Sequence, residues 1–307
     1  MIDILLASYN GEKYIAEQID SILNQTYKDW FLYIKDDCST DNTINIIRNY
    51  ENTYKDKIKV ITSDIKSGSA KDNFFSMFKY SENEYIMTCD QDDVWLPNKI
   101  EITLYKMMEA EKENEDMPIL VHTDLKVVDE KLKKITDSLI KMQNLDFRRD
   151  KLNNLLVQNI VTGCTVMVNR KLLYYIKQVP QQAIMHDWWM ALLASALGKL
   201  YFIDIPTVLY RQHSNNDVGA KNVKSTDYIL RKLRNLNSVK KTINDTYIQA
   251  AELLNSIGDE VDSRNNEMIK QYSLFLKINK YQRIKRLIKY QYWKNGIIRV
   301  VGQVFIC

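Results

Sequence analysis

The segment "IDILLASYNGEKYIAEQIDSILNQTYKDWFLYIKDD" occupies residues 2–37 and contains two apolar runs on either side of a helical pattern. The first run, residues 2–8, is rich in branched side chains and ends before a turn that contains Gly11. Ile15, Ile19, Ile22 and Leu23 then lie on one face of a predicted helix, and the second run follows at 30–37. A strand, a helix and a strand in this order predict a βαβ unit with parallel strands.

The same alternation continues through the first hundred residues, with strands predicted at 57–63 and 84–90 and a helix that starts at Pro97. It predicts an α/β fold, in which a mainly parallel sheet carries helices on both faces. From 118 to 215 the pattern is mixed, with strands predicted at 118–128, 161–168 and 199–211. From about residue 225 onward only amphipathic helices are predicted, with a break near Gly258, so we expect an all-helical C-terminal appendage.

Polar clusters follow three of the predicted strands at the point where each strand ends. They read "SYNGE", "KDDCSTD" and "CDQDD". Because open sheets of this kind bind ligands at the carboxyl ends of their strands, we expect these clusters to form one site. The third cluster places Asp90, Asp92 and Asp93 within four positions. Such carboxylates repel one another unless a cation neutralises them, and hard divalent ions prefer oxygen ligands. A single acid would suffice to cap the helix at Pro97, so the cluster predicts a metal site.

The rest of the sequence excludes several other chemistries. None of the eight glycines forms GxGxxG or GxxxxGK[ST], there is no GxSxG, and the three histidines do not fit HExxH. No segment has eighteen consecutive apolar residues, and the N-terminal run is too short for a secretory signal. The four cysteines lack CxxC or zinc-like spacing, and we interpret them as reduced thiols of a cytoplasmic protein.

The charge is distributed unevenly along the chain. Residues 1–220 carry 26 Lys/Arg and 32 Asp/Glu, whereas residues 221–307 carry 17 and 7. From residue 268 onward there are nine basic residues and no acidic ones, interleaved with tyrosines and branched apolar residues. Cations with interfacial aromatics suit an anionic membrane surface, but the same helices can pack on the core, pair between protomers or recognise a polymeric acceptor. Since no RNA-binding motif accompanies them, we expect no nucleic-acid partner.

The motifs as a group resemble those of inverting GT-A glycosyltransferases of family 2. The resemblance covers residues 1 to about 215 through "ASYNGEKYIAEQIDSILNQTY", "DDCSTDNT", "DQDDVWLPNKI", "HDWW" and "YRQH", in the family's order. In detail the chain is most similar to bacterial surface-polysaccharide rhamnosyltransferases. The resemblance implies a GT-A fold, a nucleotide-diphosphate-sugar donor (UDP- or dTDP-linked), Mn²⁺ or Mg²⁺, and a glycan acceptor that is linked to a lipid or a protein.

Carried onto this sequence, the family's motifs first imply a nucleotide pocket. Ala7, Tyr9 and Asn10 would line it, with Tyr9 against the base or ribose; a plain strand-to-helix turn is the alternative. Asp37 matches the acid that accepts a hydrogen bond from a pyrimidine base, and Asp36 lies beside it. The alternative for both acids is capping of the helix that follows Thr40.

The resemblance also implies residues for the diphosphate and the metal. Asp90 and Asp92 form a DxD pair in which Asp92 is the metal ligand, while Asp90 contacts ribose or a metal-bound water. His213 matches a histidine that binds metal or diphosphate, although a lone histidine is often structural. Lys71 and Asn73 match a Lys and an Asn near the diphosphate or base, although Lys71 also fits a solvated surface lysine.

The catalytic base that the resemblance implies is Asp187, which opens the apolar helix of "HDWWMALLA". Inversion requires one carboxylate to take the proton of the acceptor hydroxyl. Trp188 and Trp189 beside it would desolvate the carboxylate and raise its pKa, and helix capping is the compatible alternative. His186 stands where many members carry an acid, and the His form is familiar among the rhamnosyltransferase-like members. Arg211 would offset phosphate charge.

The sequence patterns predict a catalytic domain followed by a helical appendage. Residues 1–220 are expected to form the catalytic domain, with the nucleotide-sugar half at about 1–100 and the acceptor half at about 101–220, and residues 221–307 the basic appendage. The expected activity is inverting sugar transfer to a hydroxyl in cell-surface polysaccharide or glycoprotein synthesis, in the cytoplasm or peripherally at the inner face of the plasma membrane. The alternatives are a nucleotide-sugar-binding pseudoenzyme and another enzyme that processes nucleotide-diphosphate sugars.

Overall fold

The computed structural model describes residues 1–63, 65–213 and 234–306. They form two compact units, each made of separate stretches of chain. The first unit comprises Met1–Leu139, Val161–Val179 and Leu200–Gly219, and the second comprises Ile140–Ile160, Pro180–Lys199 and Ala220–Cys307. The predicted domain boundary at 220/221 lies outside the described residues.

In the part of the chain that the structure describes, nine strands form one sheet. In chain order they are β1 (Ile2–Ser8), β2 (Trp30–Asp36), β3 (Ile58–Ile61), β4 (Tyr85–Asp90), β5 (Val94–Trp95), β6 (Ile119–Val128), β7 (Lys134–Thr136), β8 (Met167–Asn169) and β9 (Lys199–Arg211). Their order across the sheet is β3-β2-β1-β4-β8-β6-β9-β5, and β7 pairs with β6. The neighbours among β1 to β4 are parallel, whereas β8 runs antiparallel to β4 and β6. The predicted α/β class with a mixed, largely parallel sheet flanked by helices is confirmed.

Twelve α-helices lie within the described residues. They are α1 (Ile15–Leu23), α2 (Thr43–Thr53), α3 (Ala70–Met77), α4 (Lys99–Glu113), α5 (Leu139–Met142), α6 (Leu152–Leu155), α7 (Arg170–Ile176), α8 (His186–Leu197), α9 (Leu236–Ile257), α10 (Ser263–Ser273), α11 (Lys280–Tyr290) and α12 (Ile297–Ile306). The described part of the C-terminal region contains helices and no strand, as predicted. None of these helices is both long and apolar enough to cross a lipid bilayer.

The core of the first unit is built on β1 at the centre of the parallel strands. Its apolar side chains are buried because a central parallel strand is covered on both faces. Asp3 is the buried charged residue of this strand, and its carboxylate accepts hydrogen bonds from the backbone of Glu82 and Asn83 and from the Asn83 side-chain amide. Ile15, Ile19 and Ile22 of α1 are also fully buried, which confirms the predicted apolar face of that helix.

The core of the second unit contains the apolar helix α8 and one face of α9. Ile243, Tyr247, Ala250 and Leu253 of α9 are buried at helical spacing. The ring of Tyr247 lies 5.0 Å from that of Tyr272, the centre of an aromatic cluster. The predicted break is confirmed, because α9 ends at Ile257 and Gly258 follows.

Candidate functional site

The polar clusters of the first unit do meet at one edge of the sheet. The parallel register pairs Ser8 of β1 with Asp36 of β2, and Ala7 of β1 with Asp90 of β4. All three strands therefore end at the same level, and the loops that follow them share this edge. This confirms the prediction that the clusters lie at the carboxyl ends of neighbouring strands.

The loop after β1 is held against the acidic cluster by Gln91. The Tyr9 amide donates to Gln91 Oε1 at 2.9 Å, and Gln91 Nε2 donates to the Tyr9 carbonyl at 2.8 Å. A Cβ at Gly11 would lie 2.2 Å from Gln91 Oε1, so a larger residue here would displace the Gln91 amide that bonds to Tyr9. Asn10 has φ 48°, a left-handed conformation that Asn tolerates. Tyr9 remains 43% exposed, and the Lys66 ammonium lies 4.0 Å from the centre of its ring.

Asp36 orders the loop that follows β2. Its carboxylate accepts hydrogen bonds from Ser8 Oγ at 3.0 Å and from the backbone amide of Ser39 at 2.8 Å. Ser39 Oγ in turn accepts from the Asn10 amide at 2.8 Å, which connects the loops after β1 and β2. The alternative that Asp36 or Asp37 caps the helix that follows Thr40 is wrong, because the cap position of α2 is Asn42.

Asp37 anchors the turn before α3. It is buried, and its carboxylate accepts the backbone N–H groups of Ser67 and Gly68, the latter at 2.9 Å. Next to this turn the buried Asn73 bonds to Lys35 twice, through Nζ at 3.0 Å and through the carbonyl at 3.2 Å. The amide of Asn73 is therefore used within the fold.

Lys71, in the first turn of α3, is half-buried, and its ammonium lies 3.4 Å from the carboxylate of Asp72. Asp72 is exposed, so a pair of this kind contributes little to stability. Nothing else in the described contacts commits the Lys71 ammonium to a structural role.

The three acids after β4 have different environments. Asp90 and Asp92 are half-buried, whereas Asp93 is fully buried. Burial raises the pKa of the Asp93 carboxyl well above its usual range, and the neighbouring charges of Asp92 and Asp90 raise it further. Oδ1 of Asp93 accepts from the Arg211 amide at 3.1 Å, and Oδ2 has no hydrogen-bond partner among the described residues.

Arg211 holds the acidic loop from the end of β9. Its guanidinium donates to the Asp92 carbonyl at 2.8 Å, to the Glu130 carbonyl at 2.6 Å and to the Glu17 carboxylate. The side chain is buried, and the guanidinium lies 4.7 Å from the centre of the Tyr14 ring. The described contacts of Arg211 are thus those of a residue that positions the acids.

His213 contacts Asp92 directly. Its Nε2 lies 2.7 Å from Asp92 Oδ2, and its ring stacks on Tyr14 with a centroid distance of 5.0 Å. Both partners of this pair are largely buried, with 9% and 15% of the side chains exposed. The structure thus brings together two of the three predicted metal ligands.

A second group of ligand atoms surrounds Asp90. The ligand atoms of Asp90, Asp93 and Cys164 lie within 4.8 Å of one another. Burial raises the pKa of the Cys164 thiol well above its usual value, so the thiol stays protonated and makes a poor ligand for a hard cation. The carboxylates of Asp90 and Asp92 are the donors that fit Mg²⁺ or Mn²⁺.

Lys99 is a buried cation of this region to which the sequence motifs assigned no role. It is fully buried in the first turn of α4, and its ammonium lies 4.8 Å from the centre of the Trp95 ring. Burial lowers its pKa to about 8, and its acidic neighbours Cys164, Cys89 and Asp93 oppose this shift. Its place two residues after Pro97 in an otherwise amphipathic helix carries no pattern that distinguishes it from a surface lysine.

Asp187 belongs to the second unit. It lies in the first turn of α8, is half-buried, and accepts the backbone N–H of Trp188 at 2.6 Å. The cap position of this helix is Met185, so the alternative that Asp187 is the N-cap is wrong. Trp188 Nε1 donates to the Leu155 carbonyl at 2.6 Å, which fixes the start of the helix.

Comparisons with known sequences agree with the motifs. The family described as Glycosyl transferase family 2 matches residues 3–176. The dTDP-rhamnosyl transferase RfbG of Shigella flexneri is 30% identical over 226 residues, which are 70% of this chain and 74% of that protein. The UDP-Glc:alpha-D-GlcNAc-diphosphoundecaprenol beta-1,3-glucosyltransferase WfgD of Escherichia coli is 33% identical over 108 residues, which are 35% of this chain and 41% of that protein.

Comparisons with solved structures show the same fold at low sequence identity. Residues 1–349 of S. aureus TarS in complex with UDP-GlcNAc align with a TM-score of 0.58 at 19% identity, over 94% of this chain and 80% of that one. The mannosyltransferase PcManGT from Pyrobaculum calidifontis, in complex with GDP-Man and Mn²⁺, aligns with a TM-score of 0.55 at 14% identity, over 99% and 78%.

Proposed function

The chain belongs to glycosyl transferase family 2, and from this premise we propose that it transfers a sugar with inversion from a nucleotide diphosphate to a hydroxyl of a glycan. The family makes the chain a glycosyltransferase with bacterial polysaccharide-synthesising relatives. The observation that supports the proposed reaction best is the sheet edge, where Asp90 and Asp92 lie beside an ordered loop that contains Tyr9.

In this proposal the nucleotide lies along the ends of β1 and β2. Ala7, Tyr9 and Asn10 line its pocket, and the exposed ring of Tyr9 packs on the base or ribose. Asp36 orders this pocket through its hydrogen bonds, and Asp37 accepts from a pyrimidine while its carboxylate also holds the turn at Gly68. The donor is UDP- or dTDP-linked, and the similarity to the Shigella dTDP-rhamnosyl transferase supports dTDP.

The proposed metal is Mn²⁺ or Mg²⁺, held by the carboxylates of Asp92 and Asp90. The ion would neutralise charge on the diphosphate of the donor. His213 orients the Asp92 carboxylate through their 2.7 Å contact, and Arg211 fixes the backbone of the same residue. Lys71 supplies a further cation near the diphosphate or base, and Asn73 positions α3 through its bonds to Lys35.

Asp187 is the proposed general base. Its carboxylate takes the proton of the acceptor hydroxyl as that oxygen bonds to the anomeric carbon, while the bond from this carbon to the diphosphate breaks. A single displacement of this kind inverts the configuration. The Oδ1 atom is held by the Trp188 amide, which leaves Asp187 oriented by the start of a buried helix.

The acceptor is proposed to be a lipid-linked or protein-linked glycan in bacterial surface-polysaccharide or glycoprotein synthesis. Residues 1–220 are proposed as the catalytic domain in the cytoplasm. The basic helical appendage of residues 221–307 would bring this domain to its acceptor at the inner face of the plasma membrane or within a homo-oligomer.

A donor screen tests the proposal. The purified chain is incubated with UDP- and dTDP-sugars, with a bacterial glycan-lipid extract as acceptor, with Mn²⁺ or with EDTA, and nucleotide release and sugar incorporation are measured. We expect release and incorporation together, and both should stop with EDTA. Binding of a donor without turnover would indicate a pseudoenzyme, and release without incorporation a hydrolase. Turnover that EDTA leaves unchanged would contradict the metal assignment.

A further inference from the structure

The last described helix, α12, exposes four of its apolar side chains. Ile297 is 84% exposed, Ile298 64%, Val301 62% and Phe305 71%. At 3.6 residues per turn these four positions lie within an arc of roughly 100° on one side of the helix. We name this set the outward stripe.

The opposite side of α12 carries Gln303 and Arg299, which bond to the rest of the second unit. Gln303 is only 3% exposed, donates to the Tyr292 carbonyl at 2.8 Å and accepts from the Lys294 amide at 3.0 Å. Arg299 donates to the carbonyl of Gln143 at 2.8 Å and to that of Asn144 at 3.2 Å. Turning the outward stripe inward would break these bonds and leave buried polar groups unpaired, so its orientation is fixed.

This arrangement is the reverse of the usual one for a helix on the surface of a protein, where the apolar side faces the core. A contiguous exposed apolar surface with a fixed orientation marks a site of interaction. The chemistry of its surroundings indicates the partner.

The surroundings of the outward stripe are strongly basic. Residues 268–307 contain nine Lys/Arg and no Asp/Glu. Lys277, Lys280, Lys285 and Lys289 are all exposed. The Lys280 ammonium donates to the Phe305 carbonyl at 2.9 Å and lies 5.8 Å from the centre of the Phe305 ring, so at least one cation borders the stripe itself.

We infer that the outward stripe of α12 binds an anionic lipid surface, with its apolar side chains at the acyl boundary and the neighbouring lysines among the phosphate headgroups. A helix with one apolar side next to cations binds in the interfacial plane of a bilayer without spanning it. A second copy of the chain would bring the same unbalanced positive charge to the contact and repel it. The inference concerns binding alone and does not depend on the proposed reaction.

Vesicle co-sedimentation of the full chain tests the apolar part of the inference. The vesicles contain phosphatidylcholine alone, or phosphatidylcholine and phosphatidylglycerol in equal parts. We expect binding to the anionic vesicles, and a variant with Ile297→Ser and Phe305→Ser should bind about tenfold more weakly. The matched control carries Ile135→Ser and Tyr174→Ser, which are 53% and 64% exposed in the first unit, and it should bind as the parent chain does.

A second pair of variants tests the charge. Lys285→Gln with Lys289→Gln should reduce binding to the anionic vesicles, whereas Lys131→Gln with Lys133→Gln, which are exposed lysines of the first unit, should not. Circular dichroism verifies that each variant is folded. Equal binding of the parent chain to both kinds of vesicle would overturn the inference, as would unchanged binding of the stripe variant. Light scattering measures the oligomeric state of the parent chain and of the stripe variant. If the parent chain is a dimer that does not bind lipid, and the stripe variant is a monomer, a second copy covers the stripe and the inference is wrong.

Discussion

The charged side chains at the acidic edge of the sheet are largely buried and hydrogen-bonded, whereas the lysines of the basic C-terminal helices are exposed. At the edge, Asp92 and Asp93 are held by Arg211 and His213, and most of these side chains are buried. In the C-terminal region, Lys285 and Lys289 are exposed, and so is the apolar stripe of α12. Fixed, partly desolvated groups suit a small ligand of defined geometry, because little reorganisation is needed when it binds. Exposed cations and apolar side chains suit an extended surface.

The largest change is expected from removing one charge at the acidic edge. Asp92→Asn should abolish Mn²⁺-dependent binding of UDP or dTDP and lower sugar transfer about ten-thousandfold, since a metal supplies several kcal/mol of charge stabilisation. Isothermal titration calorimetry with and without Mn²⁺ measures the binding. Asp137→Asn is the control, because that carboxylate is 67% exposed and pairs with Lys134 far from the proposed metal site in sequence. Unchanged nucleotide binding in the Asp92 variant would contradict the metal assignment.

The next largest change is expected from removing the proposed general base, Asp187, which should affect catalysis but not donor binding. Asp187→Asn should lower kcat by roughly 10²–10⁴-fold, the usual contribution of a general base. Donor binding should stay normal, because the base contacts the acceptor. Steady-state kinetics and calorimetry on one preparation measure both quantities, with Asp259→Asn, an exposed acid of the same unit, as the control. Full turnover in the Asp187 variant would contradict the role of general base and leave Asp187 with a structural role at the start of α8.

A third prediction compares a buried arginine with an exposed one. Arg211→Met should lower the free energy of unfolding by about 3 kcal/mol, because it leaves the Asp92 and Glu130 carbonyls without their buried donor. Arg148→Met removes an arginine that is 78% exposed and pairs with Asp146, and should cost less than about 1 kcal/mol. Urea unfolding measures both. Equal losses would show that Arg211 does not fix the acidic loop.

The smallest effect concerns pH and the buried His122. Burial lowers the pKa of His122 to about 3, from an ordinary value of 6.5. Below pH 6.5 the His122 imidazole therefore binds a proton in the unfolded chain but not in the folded one. The free energy of unfolding falls as the pH drops from 6.5 towards 3. The slope is about 1.4 kcal/mol per pH unit.

His122→Leu should remove this contribution, and unfolding measured between pH 7 and 5 would show a correspondingly shallower fall. His186 in the second unit has a pKa lowered to about 3 by the same cause and keeps its own contribution in that variant. An unchanged slope would mean that His122 is protonated without unfolding.

Much of the fold was predictable because its signals are local. The apolar run of β1 and the spacing of Ile15, Ile19 and Ile22 each reflect the period of one element, and the predicted strands and helices of the first hundred residues are present. The meeting of the polar clusters was predictable as well, since parallel strands align their carboxyl ends. The start of α2 was not, because several polar residues before Thr43 are equally good caps; in the structure Asp41 accepts the backbone N–H of Thr43 at 3.0 Å.

The sequence by itself therefore determined the α/β class, the family and the identity of the acids at the sheet edge, all of which depend on residue types and short spacings. Only the tertiary structure decided that Gln91 holds the loop at Tyr9, that Arg211 bonds to Glu17 across 194 positions, and that Cys164 lies beside Asp90. It also decided that α12 turns Gln303 inward and Phe305 outward. Helical periodicity shows that a helix has two sides, but which side is buried depends on hydrogen-bond partners that are distant in sequence.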